Sequence, residues 1–226
     1  MRRAGAMTAA LLLLGGCANG GLSDVGRIGE TALNLVIEEE PSPAPGRAPS
    51  LAELEALGTA VIAVSAADGP RAFVVPLADN GGYVNYYDAR RRGIVLFGGA
   101  VARTQGLRYD LMGVRHSLDD PVAHSRPLEA WPGEVTRSYQ YRQRDLDAYQ
   151  ITLRCVYARG PRQRIEIVGR SHEVVRVEET CRNAVREVVN TYWVAPETGF
   201  VWKSVQWIGP DEPPFTVEIV TPYSAG

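Results

Sequence analysis

The chain has 226 residues, and its 24 basic and 26 acidic side chains give a formal net charge of −2. Neither a basic run nor the glycine pattern of a Walker or dinucleotide-binding loop occurs, which argues against nucleic acid and nucleotides as partners. The length suffices for one sizeable hydrophobic core or two small ones.

The first seventeen residues have the pattern of a bacterial lipoprotein signal. Arg2 and Arg3 precede an apolar run, residues 4–14, that is too short for a bilayer, which needs about 20 apolar residues. The run ends in Leu14-Gly15-Gly16-Cys17, which resembles the lipobox of these proteins. We expect residues 1–16 to be a cleaved signal peptide and Cys17 to carry a diacylglyceryl thioether and an acyl (palmitate) group on its α-amine. The alternative is an ordinary signal peptide with a chance cysteine.

Ala18 follows the predicted lipidation site. By resemblance to lipoprotein sorting rules, an Asp here favours retention in the inner membrane, so Ala18 predicts the periplasmic face of the outer membrane. One acyl chain binds a protein to a membrane only marginally, whereas two or three acyl chains anchor the protein firmly. The first predicted partner is therefore a membrane, reached through the lipid anchor.

Residues 17–50 are predicted to be a lipidated tether rather than part of the folded body. Residues 18–26 are Gly-rich and flexible in composition, and residues 27–40 have the apolar spacing of a short amphipathic helix. The proline-rich residues 41–46 predict a stiff connector.

Residues 51–226 are predicted to form a single β-rich domain. Ser50 and Glu53 have the spacing of a capping box, so a short helix is expected to begin there and to end at Gly58. Five β-forming runs, separated by short turns such as Gly98-Gly99, then predict an antiparallel meander over residues 59–65, 71–77, 83–87, 94–97 and 100–104. Residues 105–132 are less regular and are interpreted as a crossing between two sets of strands.

Alternation of apolar and polar residues resumes at Glu134, with Val135, Tyr139 and Tyr141 on one face. A turn is expected at Gly160-Pro161, and further strands are expected over residues 164–168, 173–181, 187–194, 200–208 and 215–221. About a dozen strands and one or two short N-terminal helices predict an all-β fold: a large curved antiparallel sheet, like a barrel or half-barrel.

Two cysteines, Cys155 and Cys181, follow the lipobox. Export brings them to an oxidising compartment, where disulfides persist, so we predict a Cys155–Cys181 bridge. The chain-entropy model gives such a bridge about 3.5 kcal/mol. Two separate buried thiols are the alternative.

Three segments carry a family resemblance. The first is residues 93–107, which end in an R-T-x-G-L motif and are followed by Asp110-Leu111. The second is residues 192–206 with the motif G-x-V-W-K-S-x-Q, and the third is residues 178–181, Glu-Glu-Thr-Cys. In this order behind a lipobox, they resemble the YjbF/GfcB family of group 4 capsule and exopolysaccharide lipoproteins.

The resemblance implies a non-enzymatic accessory role in producing or exporting an extracellular or capsular polysaccharide. It also implies outer-membrane and periplasmic secretion proteins as partners, with the polysaccharide itself as a further candidate. It implies no catalytic residue and no cofactor. One alternative is a lipid- or lipoprotein-handling β carrier. A periplasmic glycan hydrolase is less favoured, because it would need two carboxylates about 5–9.5 Å apart.

Five residues are candidates for binding a glycan or a partner protein: Thr104, Gln105, Trp193, Trp202 and Gln206. Aromatic rings stack on sugars, and the neighbouring amides and hydroxyls can hydrogen-bond to them. The competing interpretation is that the tryptophans fill the core of a sheet. For Thr104 and Gln105 we favour a conformational role, in which Gly106 ends a strand.

Four potential metal ligands, His116, Asp119, Asp120 and His124, lie close together in the sequence. None of the histidines has a metal-ligand spacing with another histidine or with a cysteine. A polar loop is therefore the favoured interpretation, and no metal is predicted.

Overall fold

The computed structural model describes residues 47–67, 69–88, 92–142 and 148–224. The predicted signal peptide, Cys17 and the predicted helix at residues 27–40 lie outside these ranges. Helix α1 (Leu51–Glu55) begins after Ser50 with both hydrogen bonds of the predicted capping box. Gly58 follows with φ +65°. Among the helices of the described ranges, none has the length and apolar character needed to cross a membrane.

The described residues form twelve strands and one 3₁₀ turn, Leu128–Ala130. The strands are β1 (Val61–Ala66), β2 (Ala72–Asn80), β3 (Tyr83–Tyr87), β4 (Gly93–Phe97), β5 (Ala100–Gln105), β6 (Leu111–His116), β7 (Glu134–Arg142), β8 (Ala148–Ile167), β9 (Arg170–Arg182), β10 (Glu187–Val194), β11 (Val201–Gln206) and β12 (Phe215–Thr221).

All twelve strands belong to one antiparallel sheet in the order β5-β4-β3-β2-β1-β12-β11-β10-β9-β8-β7-β6. The first strand, β1, pairs with the last strand, β12. The edge strands β5 and β6 lie side by side, and Thr104 Oγ1 accepts a hydrogen bond from the Leu111 backbone at 2.8 Å. The sheet is therefore a nearly closed barrel with a seam between β5 and β6, which confirms the predicted all-β, strongly curved architecture.

Strand β6 was not predicted, because residues 105–132 were interpreted as an irregular crossing. It pairs with β7, and the register shifts between Leu111 and Gly113. This shift, together with a glycine in a strand of six residues, hides the period-two pattern that reveals the other strands.

The turn predicted at Gly160-Pro161 is wrong. Strand β8 continues through both residues to Ile167, and its register against β9 shifts between Arg159 and Arg162. A bulge tolerates proline because the missing N–H is not needed for the ladder. The chain turns instead at Val168 and Gly169, where φ is 47° and 79°.

Two apolar clusters pack the barrel interior. The first includes Ile62, Leu153 and Trp207. The second includes Val177 and Tyr192. A third cluster lies on the opposite face of β1, where α1 and the end of β8 pack against the sheet. Its buried members are Leu54 of α1, Val61 and Ala63 of β1, Ile167 of β8 and Val220 of β12. The Cys155–Cys181 disulfide joins directly opposed, fully buried residues of β8 and β9. The predicted bridge is thus present.

Candidate functional site

A charged network lies inside the barrel. Arg137 on β7 donates from Nε and Nη2 to the Asp120 carboxylate at 2.5 and 2.8 Å, and from Nη1 to Glu179 Oε2 at 2.6 Å. All three side chains are at most 2% exposed. An unpaired charge in such an interior is costly, so the guanidinium needs carboxylates on both sides to be buried there.

Neighbouring side chains complete the network around Glu179. Its Oε2 also accepts hydrogen bonds from Asn190 Nδ2 at 2.7 Å and from the Tyr192 hydroxyl at 3.0 Å. Its Oε1 is buried and has no hydrogen-bond partner among the described residues. The sulfurs of Cys155 and Cys181 lie within 4.8 Å of a Glu179 oxygen. Because these sulfurs are bonded to each other, they are not free to hold a metal in the oxidised protein.

The network shifts the pKa values of its members. Burial alone would raise the pKa of Asp120, but the Arg137 charge and hydrogen bonds from Arg137 and His116 hold it well below its usual range. Burial would lower the pKa of Arg137, but the charges of Glu179 and Asp120 raise it well above its usual value. Both shifts favour the charged forms of Asp120 and Arg137.

Asp120 also organises the turn that follows β6. Its Oδ2 lies 2.9 Å from His116 Nδ1, and its Oδ1 accepts from the backbone of Val122 at 3.1 Å and of Ala123 at 3.4 Å. Its backbone carbonyl accepts from the His124 backbone at 3.0 Å. Asp120 therefore contacts both histidines, His116 through its carboxylate and His124 through its backbone carbonyl.

The same turn packs against the Gly98-Gly99 turn between β4 and β5. The Gly99 backbone donates to the Val122 carbonyl at 2.8 Å. A Cβ atom at Gly98 would lie 2.4 Å from the Ala123 carbonyl oxygen, and φ of Gly98 is +57°. Glycine is thus needed at position 98 both for its backbone conformation and for the close approach of the two turns.

An open groove of about 400 Å³ lies between the β3–β4 pair and the end of β6, a volume within the usual range for ligand pockets. The groove is lined by Tyr83, Phe97, Gly113, Val114, Arg115, His116, Leu118, His124 and Gln140. We call this feature the seam groove, because residues on both sides of the β5–β6 seam line it.

The walls of the seam groove are aromatic. Tyr83 and Phe97 stack with ring centroids 4.4 Å apart, and His124 meets Phe97 edge-on at 5.2 Å. The Tyr83 residue is 37% exposed. The His116 side chain is only 4% exposed, and its Nε2 has no hydrogen-bond partner in the part of the chain that the structure describes. The groove therefore combines an exposed ring with an unsatisfied ring nitrogen.

The four potential metal ligands that are close in sequence do not meet as a ligand group. Within the described ranges, the one set of three or more ligand atoms at metal-binding separation is Cys155, Glu179 and Cys181. Asp120 is instead held by Arg137 and His116, and the His124 ring packs on Phe97. His116 ends β6 and the other three residues lie in the turn after it. The absence of a metal there stays a prediction.

Two of the predicted binding residues, Thr104 and Gln105, have different environments. Thr104 is 1% exposed, and besides accepting from Leu111 it donates to Asp110 Oδ1 at 3.2 Å. Gln105 is exposed, and its Oε1 accepts from the Tyr87 hydroxyl at 3.1 Å. Thr104 thus helps to close the seam, whereas Gln105 lies on the surface.

Gln206, a third predicted binding residue, is 5% exposed and reaches across to the β4–β5 hairpin. Its Oε1 accepts from the Val101 backbone at 2.9 Å, and its Nε2 donates to the Gly99 carbonyl at 2.9 Å. All of these contacts are within the chain. A role for Gln206 in binding stays a prediction, and its observed hydrogen bonds are structural.

Trp193 and Trp202, the remaining predicted binding residues, are half-buried. Lys203 Nζ lies 5.4 Å from the centroid of the Trp193 ring. Trp202 stacks on His172 with centroids 3.7 Å apart and belongs to the cluster beneath α1. Neither lines the seam groove, so the structure does not bring the five predicted residues into one site.

Sequence reasoning missed both the network and the groove. Arg137 lies between Val135 and Tyr139 on the inward face of β7, so a charged residue at that position of the alternation was the available signal. Tyr83 and Phe97 carried no comparable signal, because aromatic residues in strands usually belong to a core.

A second cavity, of about 320 Å³, opens at one end of the barrel. Most of its lining is apolar and includes Val64, Val74, Tyr86, Ile94, Leu107 and Phe215. Arg71, Asp88, Arg92 and Glu212 also line it. The interior near this opening is therefore partly unfilled, whereas the middle of the barrel is packed.

Comparisons with known proteins match the chain to one family and to the fold of a solved structure. A family model described as group 4 capsule polysaccharide lipoprotein gfcB, YjbF matches residues 31–220. The crystal structure of the hypothetical lipoprotein YmcC from Escherichia coli (K12) superimposes with a TM-score of 0.68 at 19% identity, covering 92% of this chain and 100% of that one. No curated protein is significantly similar in sequence. The structural match shows that the two chains share a fold.

Proposed function

We propose a function on one premise: the chain belongs to the YjbF family, the group 4 capsule polysaccharide lipoproteins. On that basis, it is a lipid-anchored accessory protein for the production or export of a capsular or extracellular polysaccharide. Its anchor is the acylated Cys17, and its body lies at the periplasmic face of the outer membrane. It works beside outer-membrane and periplasmic proteins of polysaccharide secretion.

The observation that carries this proposal is the family match over residues 31–220, most of the chain after the lipobox. The lipobox adds an independent argument from the sequence, because charge, run length, small residues and cysteine occur in the required order. In this proposal, residues 17–50 act as the tether that the sequence predicts between the lipid and the folded strands.

We propose that the accessory role is non-enzymatic. Glycan hydrolysis in most families needs two carboxylates flanking the substrate. The described lining of the seam groove includes no Asp or Glu. Asp120 and Glu179 are fully buried and paired with Arg137, which favours a structural role for both carboxylates.

Gene deletion in the source bacterium tests the proposal. We expect less polysaccharide on the cell surface, measured as cell-associated sugar, and restoration by the wild-type gene. A Cys17→Ser variant should remain folded, leave the outer-membrane fraction and fail to restore the surface sugar. Unchanged surface polysaccharide in the deletion strain would refute the role, and a Cys17→Ser protein that stays in the outer-membrane fraction would refute the anchor.

The second candidate function, a lipid- or lipoprotein-handling carrier, is favoured by the apolar cavity of about 320 Å³ at the barrel end. A carrier would bind the fluorescent apolar probe N-phenyl-1-naphthylamine there, and a fatty acid would displace it. A Val74→Trp substitution should fill the cavity and abolish that fluorescence. Absence of any fluorescence increase with the wild-type protein would eliminate this candidate.

A further inference from the structure

We propose that the seam groove binds a sugar unit of the polysaccharide, with the ring of Tyr83 against the sugar face and His116 Nε2 hydrogen-bonded to a sugar hydroxyl. This inference rests on the proposed function, because the family role identifies the polysaccharide as the glycan within reach of the protein. It goes further by assigning a site and the two groups that recognise the sugar.

The first argument is the orientation of the His116 ring. The Asp120 carboxylate is held by Arg137, and its Oδ2 lies 2.9 Å from His116 Nδ1. This contact occupies one ring nitrogen and leaves Nε2 as the nitrogen that can bond to another partner. Asp120 thus fixes the orientation of a ring that lines the groove.

The second argument is the cost of leaving His116 Nε2 without a hydrogen bond. Nε2 of His116 is buried, lacks a partner among the described residues, and belongs to a side chain that lines an open groove. A buried polar atom without a hydrogen bond carries a desolvation cost, which a ligand hydroxyl would offset. A sugar supplies several hydroxyls at short spacing, so it suits this geometry.

The third argument is the aromatic wall. Tyr83 stacks on Phe97 within 12° of parallel, and 37% of Tyr83 is still exposed. Sugar rings expose C–H groups on their flat faces, which pack on such a surface, as in other mixed apolar and polar ligand sites. The same groove offers the Gln140 amide and the Arg115 guanidinium as hydrogen-bond donors.

The charge of the groove limits which class of sugar it can bind. Its described lining holds one guanidinium, on Arg115, and no carboxylate. Positive charge without an acidic neighbour in the lining favours an acidic or neutral sugar over an amino sugar with a free amine. The site therefore fits a hexose-sized unit, including a uronic acid.

The three histidines of the chain provide a direct test. Oligosaccharides are released from the surface polysaccharide of the source bacterium by mild acid and added to ¹⁵N-histidine-labelled protein. We expect the ring signals of His116 and His124 to shift, while those of His172, which stacks on Trp202 away from the groove, stay fixed. Maltoheptaose serves as the unrelated glycan and should cause no shift.

Two matched tyrosine variants separate binding from folding. Tyr83→Ala should weaken oligosaccharide binding at least tenfold. Tyr223 is 38% exposed and lines a different cavity, so Tyr223→Ala should bind like wild type. Equal weakening in both variants would overturn the assignment of Tyr83.

The outcomes also distinguish this inference from the proposed function. If the deletion strain loses surface polysaccharide but the oligosaccharides shift neither His116 nor His124, the sugar site is wrong and the accessory role stands. If the oligosaccharides bind at the groove but the deletion strain is normal, the site stands and the accessory role is wrong. Equal shifts with maltoheptaose would overturn recognition of the bacterium's own polysaccharide.

Discussion

Arg137 Nη1 lies 2.6 Å from Glu179 Oε2, although β8 separates the strands that carry them. The two side chains meet because both point into the barrel, where curvature brings non-adjacent strands together. A pair of this kind constrains the geometry of the sheet more than the pairing of two neighbouring strands does, because it fixes the distance between β7 and β9 across β8.

Removing the buried cation should be strongly destabilising. Arg137→Met leaves Asp120 and Glu179 as buried carboxylates without a counter-ion, and breaking such a pair costs about 3–5 kcal/mol. We expect the free energy of unfolding in urea to fall by that amount.

The matched control for Arg137→Met is Arg154→Ala. Arg154 pairs with Glu134 on the surface, with 71% and 43% of the two side chains exposed. Exposed pairs contribute about 0–1 kcal/mol, so this variant should unfold almost like wild type. A similar loss in both variants would contradict a special role for the buried network.

Acid should weaken the fold through Asp120. Its pKa is lower in the folded chain than the unfolded value of about 3.9. A carboxyl shifted in this direction stabilises the fold above its unfolded pKa, and that contribution is lost as the pH falls below it. The Asp120 contribution should therefore decline below about pH 4, by at most about 1.4 kcal/mol per pH unit.

Carbon NMR of the carboxyl groups checks this prediction directly. The Asp120 signal should keep the chemical shift of an ionised carboxylate at pH 3, as long as the chain is folded. Protonation near pH 4 in the folded protein would show that Arg137 and His116 do not hold the charge.

The sequence predicted strands best where alternation is clean and bounded by turn residues. Strands β3, β10 and β12 have the bounds expected from the pattern. The Gly160-Pro161 turn failed for a physical reason: a bulge and a turn use the same residues, and the difference depends on whether a partner strand continues. Here the partner strand is β9, which pairs with β8 on both sides of the bulge. The local sequence around Gly160 carries no information about that pairing.

The candidate site was harder to predict than the fold. Alternation places Arg137 and Glu179 on inward faces, but their contact depends on the curvature of the whole sheet. The seam groove combines Tyr83 and Phe97 with His116 and His124, which come from opposite sides of the seam. Their proximity is set by how the barrel closes, which no short-range spacing encodes.

The disulfide should contribute a large part of the stability. Cys155 and Cys181 are separated by 26 residues, for which the chain-entropy model gives about 3.5 kcal/mol. A Cys155→Ala/Cys181→Ala double variant should lose about this amount in urea unfolding. Cys17→Ser is the control, because it leaves the bridge in place. If reductant lowers the stability of the double variant as much as that of wild type, the bridge is not the source.

Gln206 should be needed to hold the β4–β5 hairpin. Gln206→Ala leaves the Val101 N–H and the Gly99 carbonyl without their side-chain partners, and each unsatisfied buried group costs about 1–3 kcal/mol. Hydrogen exchange of the Val101 amide should become much faster. Gln150, which is exposed and bonds only to Thr152 in the described chain, provides the control Gln150→Ala. Unchanged exchange at Val101 in Gln206→Ala would contradict this role.

Alanine substitutions at Gly98 and Gly81, which have nearly the same backbone conformation, distinguish the cost of backbone strain from the cost of steric crowding. Gly98 and Gly81 have φ of +57° and +66°, so alanine at either position should cost about 1–2 kcal/mol. A Cβ at Gly81 meets nothing within 4 Å, whereas one at Gly98 would lie 2.4 Å from the Ala123 carbonyl oxygen. Gly98→Ala must therefore also displace the turn that carries His124.

We expect Gly98→Ala to lower the free energy of unfolding more than Gly81→Ala, and to shift the ring signals of His116 and His124 in the absence of any glycan. Gly81→Ala should leave both signals in place, because a Cβ atom at Gly81 meets no other atom within 4 Å. Equal losses of stability, with no change in the histidine signals, would mean that the contact between the two turns does not shape the groove.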